Sequence, residues 1–389
     1  MKIADQNKLK EVLTRGIKKI IGKENLEKKL ASGKILRVKH GVDPTTADLH
    51  FGYAVIYRKL RQFQDLGHKI IFLIGDFTGC FGDPTDRAAG PRPMRDKKEV
   101  QKLAKNYLKQ AGKILNLQKL EVRYNSEWYD RMSAEELLRL MSRFTAARMM
   151  ERDMFQERIK KGLDIGLHEP VYPALQGYDS VMLKSDLTVI GSDQEFNEFQ
   201  GRRAQEKFGQ EPQSLLIMPL LTGLDGQRKM SQSLENYIGL AEGSDSQYGK
   251  IMSLPDSLIK EYVVLLTDLD YEEIKKLHFR DAKMRLAREI VKNYHGKKAA
   301  EEAEENFKKV FQKGAWPKKM PEVFIKSPVK LSKILLAQKI ILSNAEFRRL
   351  VKSQGIKVDQ KIISDINLII DKPAAIRIGR LRFLKINFK

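Results

Sequence analysis

The run "HKIIFLIGDF", His68 to Phe77, constrains the fold more than any other stretch. Ile70 to Ile74 is unbroken apolar sequence with no alternating polar position. A strand of that kind has no solvent face, so it belongs inside a parallel sheet covered by helices on both sides. The neighbouring segments can supply such helices. Gly52–Leu66 carries Val55, Ile56, Leu60 and Phe63 on one face. Further helices are expected over 97–115 and 134–143, with strands at "LEVRYN" and "SLLIMPLL". This alternation reads as an α/β fold built on a Rossmann-like, doubly wound parallel sheet. Ligands in such folds lie at the carboxyl ends of the strands, where the turns at 43–53 and 75–87 fall.

The first of those turns lies in "VKHGVDPTTADLHFGY", Val38 to Tyr53. Proline at 44 cannot continue a strand and restricts the residue before it, so the strand ends at Asp43-Pro44-Thr45. A helix is expected to restart with Asp48 as its N-cap and His50 and Gly52 in its first turn. Unpaired N–H groups and a partial positive charge at a helix N-terminus suit a phosphate. A histidine adds a donor, and a glycine lets a ring or ribose lie against bare backbone.

Length and charge set the organisation. The 389 residues are 42% hydrophobic, enough for two or three domains with real cores. The formal charge of +22 calls for an anionic partner, with nucleic acid or a membrane surface as the candidates. It is unevenly spread: Lys330 to Lys389 holds 14 Lys/Arg against 4 Asp/Glu. Cys80 is the only cysteine, which excludes a disulfide framework or a cysteine zinc cluster and points to the cytoplasm. Residues 1–30 alternate charged and apolar positions like one amphipathic helix, without the apolar core of a signal peptide. No apolar run approaches the roughly 20 residues that span a bilayer, so a soluble chain without membrane partners is expected.

Residues 144–185 read as mainly helical, with Pro173 suited to a first helical position. That places Tyr172, Gln176 and Asp179 on one helix face. "SDQEFNEFQGRRAQEKFG" reads as a capped helix, and 241–312 as wholly helical. Prolines at 317, 321 and 328 punctuate a linker, and two short helices and several strands follow it. The expected domains are 1–238 for the site-bearing sheet, 239–316 for a helical domain, 317–328 for the linker and 329–389 for a small basic α+β domain.

The turn around His50 and the downstream "DGQRKMSQS", Asp225 to Ser233, together resemble the two signatures of class I aminoacyl-tRNA synthetases. "GVDPT", "GDFTGCFGDPTD", "YPALQGYDS", "GSDQ" and "GQEPQSLLIMPLLTGLDG" are similar, in order and spacing, to bacterial tyrosyl members of that family. The resemblance runs from about Leu36 to the C-terminus. It implies a tyrosine–tRNA ligase using ATP with Mg²⁺, with tRNA(Tyr), tyrosine and ATP as partners and a homodimer as the assembly. It also implies that the 144–185 insertion carries part of the dimer interface.

By that resemblance Thr45 and His50 bind phosphate, Gly52 accommodates the nucleoside, and Lys229 draws the pyrophosphate forward. Arg87 falls near the triphosphate, and Gly191, Met230 and Ser231 complete the ATP site. Tyr172 and Gln176 lie near the tyrosine ammonium with Thr78, Asp83 and Gln194. Asp179 meets the phenolic hydroxyl, and Asp43 and Asn125 support the pocket. In the basic tail, which resembles a small RNA-binding motif, Arg348, Arg349, Lys352 and Lys357 contact phosphates. The chemistry implied needs no nucleophile or general base from the protein, only positioning and charge stabilisation. No Ser/His/Asp arrangement and no cysteine beside a base competes with it.

Four positions depart from the family pattern. Tyr53 replaces a second histidine, Gln232 a second loop lysine, Ile190 a glycine, and Lys39 a common pocket tyrosine. Slower activation or an altered pocket is the expectation. A tryptophanyl-type relative and a degenerate synthetase that only binds RNA are the competing readings.

Overall fold

In a computed structural model, residues 6–44, 46–84, 94–311, 316, 320–338, 340–379 and 382–389 are described. The chain divides into two compact units, Met1–Ala300 and Glu301–Lys389, and the division falls inside the helix Lys297–Phe311.

The first unit is organised by a six-stranded sheet. Its strands are β1 (Lys19–Ile21), β2 (Arg37–Val42), β3 (Lys69–Ile74), β4 (Leu120–Tyr124), β5 (Leu187–Gly191) and β6 (Ser214–Met218). Their order is β1-β6-β5-β2-β3-β4, with every pair parallel except β1 against β6. Chain order runs outward in opposite directions from β2, which makes the β2/β5 boundary the topological switch point. Ile70, Ile71, Phe72, Leu73 and Ile74 are all buried, as an apolar run covered on both faces must be.

Three local expectations are corrected. The N-terminal stretch is not one helix: Gln6–Val12 and Lys23–Ala31 are helical, with β1 between them. The edge of β6 takes Lys19, Ile20 and Ile21 as an antiparallel partner, and those ladder bonds outweigh a helical pattern. Pro173 is not at a first helical position, because its helix starts at His168 and runs to Leu183. The helix after β2 is Phe51–Asp65, and its N-cap is His50 rather than Asp48.

Beyond β6 the described chain is helical from Ser244–Met252 to Lys297–Phe311. The second unit has a five-stranded sheet, ordered Lys361–Ile362, Ile356–Val358, Ala374–Ile378, Arg382–Phe388, Glu322–Ile325. The unit also holds a two-stranded sheet, Val329–Lys330 with Ile369–Ile370, and the helices Leu331–Ala337 and Asn344–Lys352, and its core includes Leu331, Leu335, Phe347, Ile376 and Ile386. Glu322–Ile325 lies within the stretch expected as a linker, yet it pairs in parallel with the last strand.

Candidate active site

The turn after β2 is held by its histidine. His50 is extended (φ −121°, ψ 174°), and its Nδ1 accepts the Gly52 N–H at 3.1 Å. A Cβ at position 52 would come within 2.8–2.9 Å of the imidazole, so the cap requires glycine there. With Nδ1 accepting, the proton of a neutral ring sits on Nε2. Burial, and then the charge of Lys229, lower the His50 pKa to about 4. At neutral pH His50 is therefore an uncharged donor at Nε2. The Tyr53 ring lies 4.9 Å from it, and burial, then the neighbouring Tyr107, keep the Tyr53 phenol protonated.

The "KMSQS" loop leaves the end of β6 and packs onto this turn. Phe51 N–H donates to Ile238 O at 3.0 Å and Leu240 N–H to Leu49 O at 2.8 Å. Gln232 Nε2 donates to Asp48 O at 2.7 Å. Inside the loop, Met230 N–H donates to Leu221 O, and Asn236 accepts from Ser231 N–H. Arg228 is turned away onto Asp225 at 2.8 Å. Lys229 Nζ sits 3.6 Å from Asp193, and burial lowers its pKa. Asp193 in turn stands over Gly191, where a Cβ would meet its Oδ1 at 2.8 Å.

Beside the loop, side chains from the end of β2, the turn after β3 and the helix His168–Leu183 meet in a polar cluster. Asp43 accepts from Tyr172 OH at 2.7 Å and from Thr78 Oγ1 at 2.9 Å. Asn125 Nδ2 donates to Thr78 Oγ1 at 2.8 Å and to Asp179 Oδ2 at 3.4 Å. Trp128 Nε1 donates to the other oxygen of Asp179 at 3.0 Å. A continuous chain thus links Asp43 to Asp179. Burial raises the Asp179 pKa to about 7, while Lys39, Asn125 and Trp128 pull it down.

A second cluster gathers Asp83, Gln176 and Gln194. Gln194 Nε2 donates to Asp83 Oδ2 at 2.8 Å. Asn197 Nδ2 reaches Gln176 Oε1 at 3.0 Å, Gln194 Oε1 at 3.2 Å and Asp83 Oδ2 at 3.4 Å. Arg152 lies 3.8 Å from Asp83.

The structure therefore brings Asp43, Thr78, Asn125, Tyr172 and Asp179 into one network, and Asp83, Gln176 and Gln194 into another. His50, Gly52, Gly191, Lys229, Met230 and Ser231 sit on the turn, the end of β5 and the loop. Thr45 and Arg87 lie outside the described residues. Arg348, Arg349 and Lys352 are exposed on the helix Asn344–Lys352, and half-buried Lys357 pairs in register with Arg377.

Sequence reasoning missed Trp128, Arg152, Asn197 and Glu198, which bond to or pair with the predicted side chains Asp179, Asp83 and Gln176. One signal was available: Asn197 and Glu198 follow Gln194 by three and four residues, which puts them on its helix face. Of the departures, Ile190 packs with Ile21, Leu215 and Ile217. Lys39 is buried against Glu198.

The description "tRNA synthetases class I (W and Y)" matches residues 31–312. The chain belongs to that family. A tyrosine–tRNA ligase of Carboxydothermus hydrogenoformans is 42% identical, over 97% of each chain. One of Thermotoga maritima is 43% identical, over 97% of this chain and 96% of its own. The solved structure of an Archaeoglobus fulgidus tyrosyl-tRNA synthetase complexed with L-tyrosine has a TM-score of 0.62 at 21% identity. It covers 77% of this chain and 99% of its own, and at that identity it speaks to the fold alone.

Proposed function

We propose that the chain is a tyrosine–tRNA ligase, with the polar cluster between β2 and the helix His168–Leu183 as its tyrosine pocket. Near-full-length likeness to tyrosine–tRNA ligases supports this reading. The observation that carries it is the buried Asp179, which stands at the far end of the hydrogen-bonded chain from Asp43. A buried carboxylate there suits a phenol and leaves phenylalanine with an unpaired acceptor. Tyrosyl synthetases are the established example of this kind of discrimination.

In this reading the tyrosine carboxylate attacks the α-phosphate of ATP. A carboxylate–phosphate bond forms and the bond to the leaving pyrophosphate breaks. A ribose hydroxyl of the tRNA then takes the acyl group and AMP leaves. His50 Nε2–H, Thr45 and Lys229 stabilise phosphate charge in place, Gly52 and Gly191 admit the nucleoside, and Mg²⁺ arrives on the nucleotide. Thr78, Asp83, Tyr172, Gln176 and Gln194 surround the ammonium, and Asp43 and Asn125 support the pocket.

A homodimer belongs to this reading, and Ile159 and Leu167, in the insertion expected at its interface, are exposed in the single chain. A single cysteine fits action in the cytoplasm, and no described helix is long and apolar enough to cross a membrane. Pyrophosphate exchange with each of the twenty amino acids tests the reading. Exchange with tyrosine alone is expected. Exchange with tryptophan would transfer the assignment to the tryptophanyl relatives, and none at all would leave an RNA-binding protein.

A further inference from the structure

We propose that the buried Lys39–Glu198 pair is a positioning device for Gln176. It sets which end of that amide faces the amino-acid substrate. The proposal rests on the tyrosine-pocket reading and deepens it.

Lys39 and Glu198 are 1% and 2% exposed, and Lys39 Nζ reaches both carboxylate oxygens at 2.9 Å. Lys39 Nζ also donates a hydrogen bond to Ser180 Oγ at 2.7 Å. Glu198 Oε1 is shared, because Gln176 Nε2 also donates to it at 2.8 Å. Gln213 Nε2 donates to Oε2 at 2.9 Å.

A carboxylate facing an ammonium only accepts, so the amide end turned toward it must be the NH₂. Gln176 Oε1 is thereby forced to the opposite side, onto Asn197 Nδ2. There it joins Gln194 Oε1 and Asp83 Oδ2 around the Asn197 NH₂ group, with Gln194 Oε1 also accepting from Gln176 Nε2 at 3.4 Å and Asp83 Oδ2 from Gln194 Nε2 at 2.8 Å. A primary ammonium, with three donors and a positive charge, matches that set. Were Gln176 turned over, it would present a donor to the ammonium instead. The two ends of an amide are nearly the same size, so packing alone does not choose between them. Glu198 does, and Lys39 compensates its charge.

A mere brace between β2 and the helix Glu195–Lys207 would not need the shared oxygen, and a buried ion pair is in any case weak evidence for stability. The pair is better explained by the orientation it imposes.

The test is equilibrium binding to the full chain of two ligands, tyrosine and 3-(4-hydroxyphenyl)propionate, which lacks the ammonium. Glu198→Gln should weaken tyrosine about tenfold or more and leave the propionate within about twofold. Added to Gln176→Ala, it should cost nothing further, because both changes remove one interaction. Lys39→Met with Glu198→Leu removes both charges of the pair and keeps the volume, and it should weaken tyrosine more than the propionate. Equal weakening of both ligands overturns the proposal, as do additive losses with Gln176→Ala. So does parental tyrosine affinity in the doubly changed chain. A parent chain that binds the propionate but not tyrosine would instead strike the tyrosine reading, and this proposal with it.

Discussion

Asp179 is a carboxylate that burial holds near neutrality, with Lys39, Asn125 and Trp128 opposing the shift. Its folded pKa of about 7 stands above the unfolded value of 3.8. The sign follows: its contribution to stability is complete below pH 3.8 and is lost as pH rises through about 7. Asp179→Asn, which cannot ionise, should gain about 2–3 kcal/mol on the parent between pH 5 and pH 8, read as the difference in unfolding free energy. An unchanged difference would mean that the carboxyl is ordinary. Function runs the other way. Asp179→Ala should lose most tyrosine activation and narrow the preference over phenylalanine, because the phenol loses a charged acceptor. Normal activation by that variant would move the pocket elsewhere. The placing of Asp179 with Tyr172 and Gln176 was legible, because the three share a helix face wherever that helix begins. The partners of that face were not legible. Trp128 reaches Asp179 across 51 residues and Lys39 reaches Glu198 across 159, and no local pattern encodes which distant side chains meet.

At the scale of elements, two contacts carry predictions. The helices His168–Leu183 and Glu195–Lys207 touch backbone to backbone: a Cβ on Gly177 would lie 3.0 Å from Gln200 O and 3.1 Å from its carbonyl carbon. Backbone cannot swing aside as a side chain would. Gly177→Ala should therefore cost about 1–3 kcal/mol of stability by overpacking and raise the KM for tyrosine, since Gln176 and Asp179 ride on the displaced helix. An unchanged melting temperature and KM would show that the helices can part freely. The second contact is Gln232 on Asp48 O, which ties the loop to the turn before His50. A lysine at 232 can still donate to that carbonyl and adds a charge near the phosphates. Gln232→Lys should raise single-turnover adenylate formation by roughly tenfold while changing the tyrosine Kd little, and Gln232→Leu should lower it. Arg228 is paired with Asp225 and is poorly placed to supply the missing charge. No response to either change would mean that another segment meets the triphosphate. The buried strands were readable because uninterrupted apolar runs admit one placement. The His50 cap was not, because Asp48 offers a good capping side chain and only the fold shows its carbonyl receiving Gln232.

At the scale of the whole molecule, chemistry and charge are divided along the chain. Every residue assigned to the pocket lies before Ser233, in the first unit, while the second unit contains Lys330–Lys389 with its 14 Lys/Arg against 4 Asp/Glu. The helix Asn344–Lys352 presents Arg348, Arg349 and Lys352 to solvent, and Lys357 stands opposite Arg377 across two strands. Like charges in register oppose each other unless an anion lies over them. A phosphate backbone supplies that anion, and its binding releases counterions. A chain ending at Met320 avoids leaving Glu322–Ile325 without the strand it pairs with. It should keep pyrophosphate exchange with tyrosine near the parental rate and lose most tRNA charging. In the full chain, the logarithm of tRNA affinity should fall linearly with the logarithm of salt. Replacing Arg348, Arg349 and Lys352 by glutamine should flatten that slope by about two to three units, at about 0.7–0.9 for each phosphate left unneutralised. Because these cations position rather than specify, affinity should weaken similarly for tRNAs of different sequence. Undiminished charging by the shortened chain would place the tRNA-binding surface in the first unit. An unchanged salt slope in the triple variant would move the phosphate-binding role to other cations of the tail.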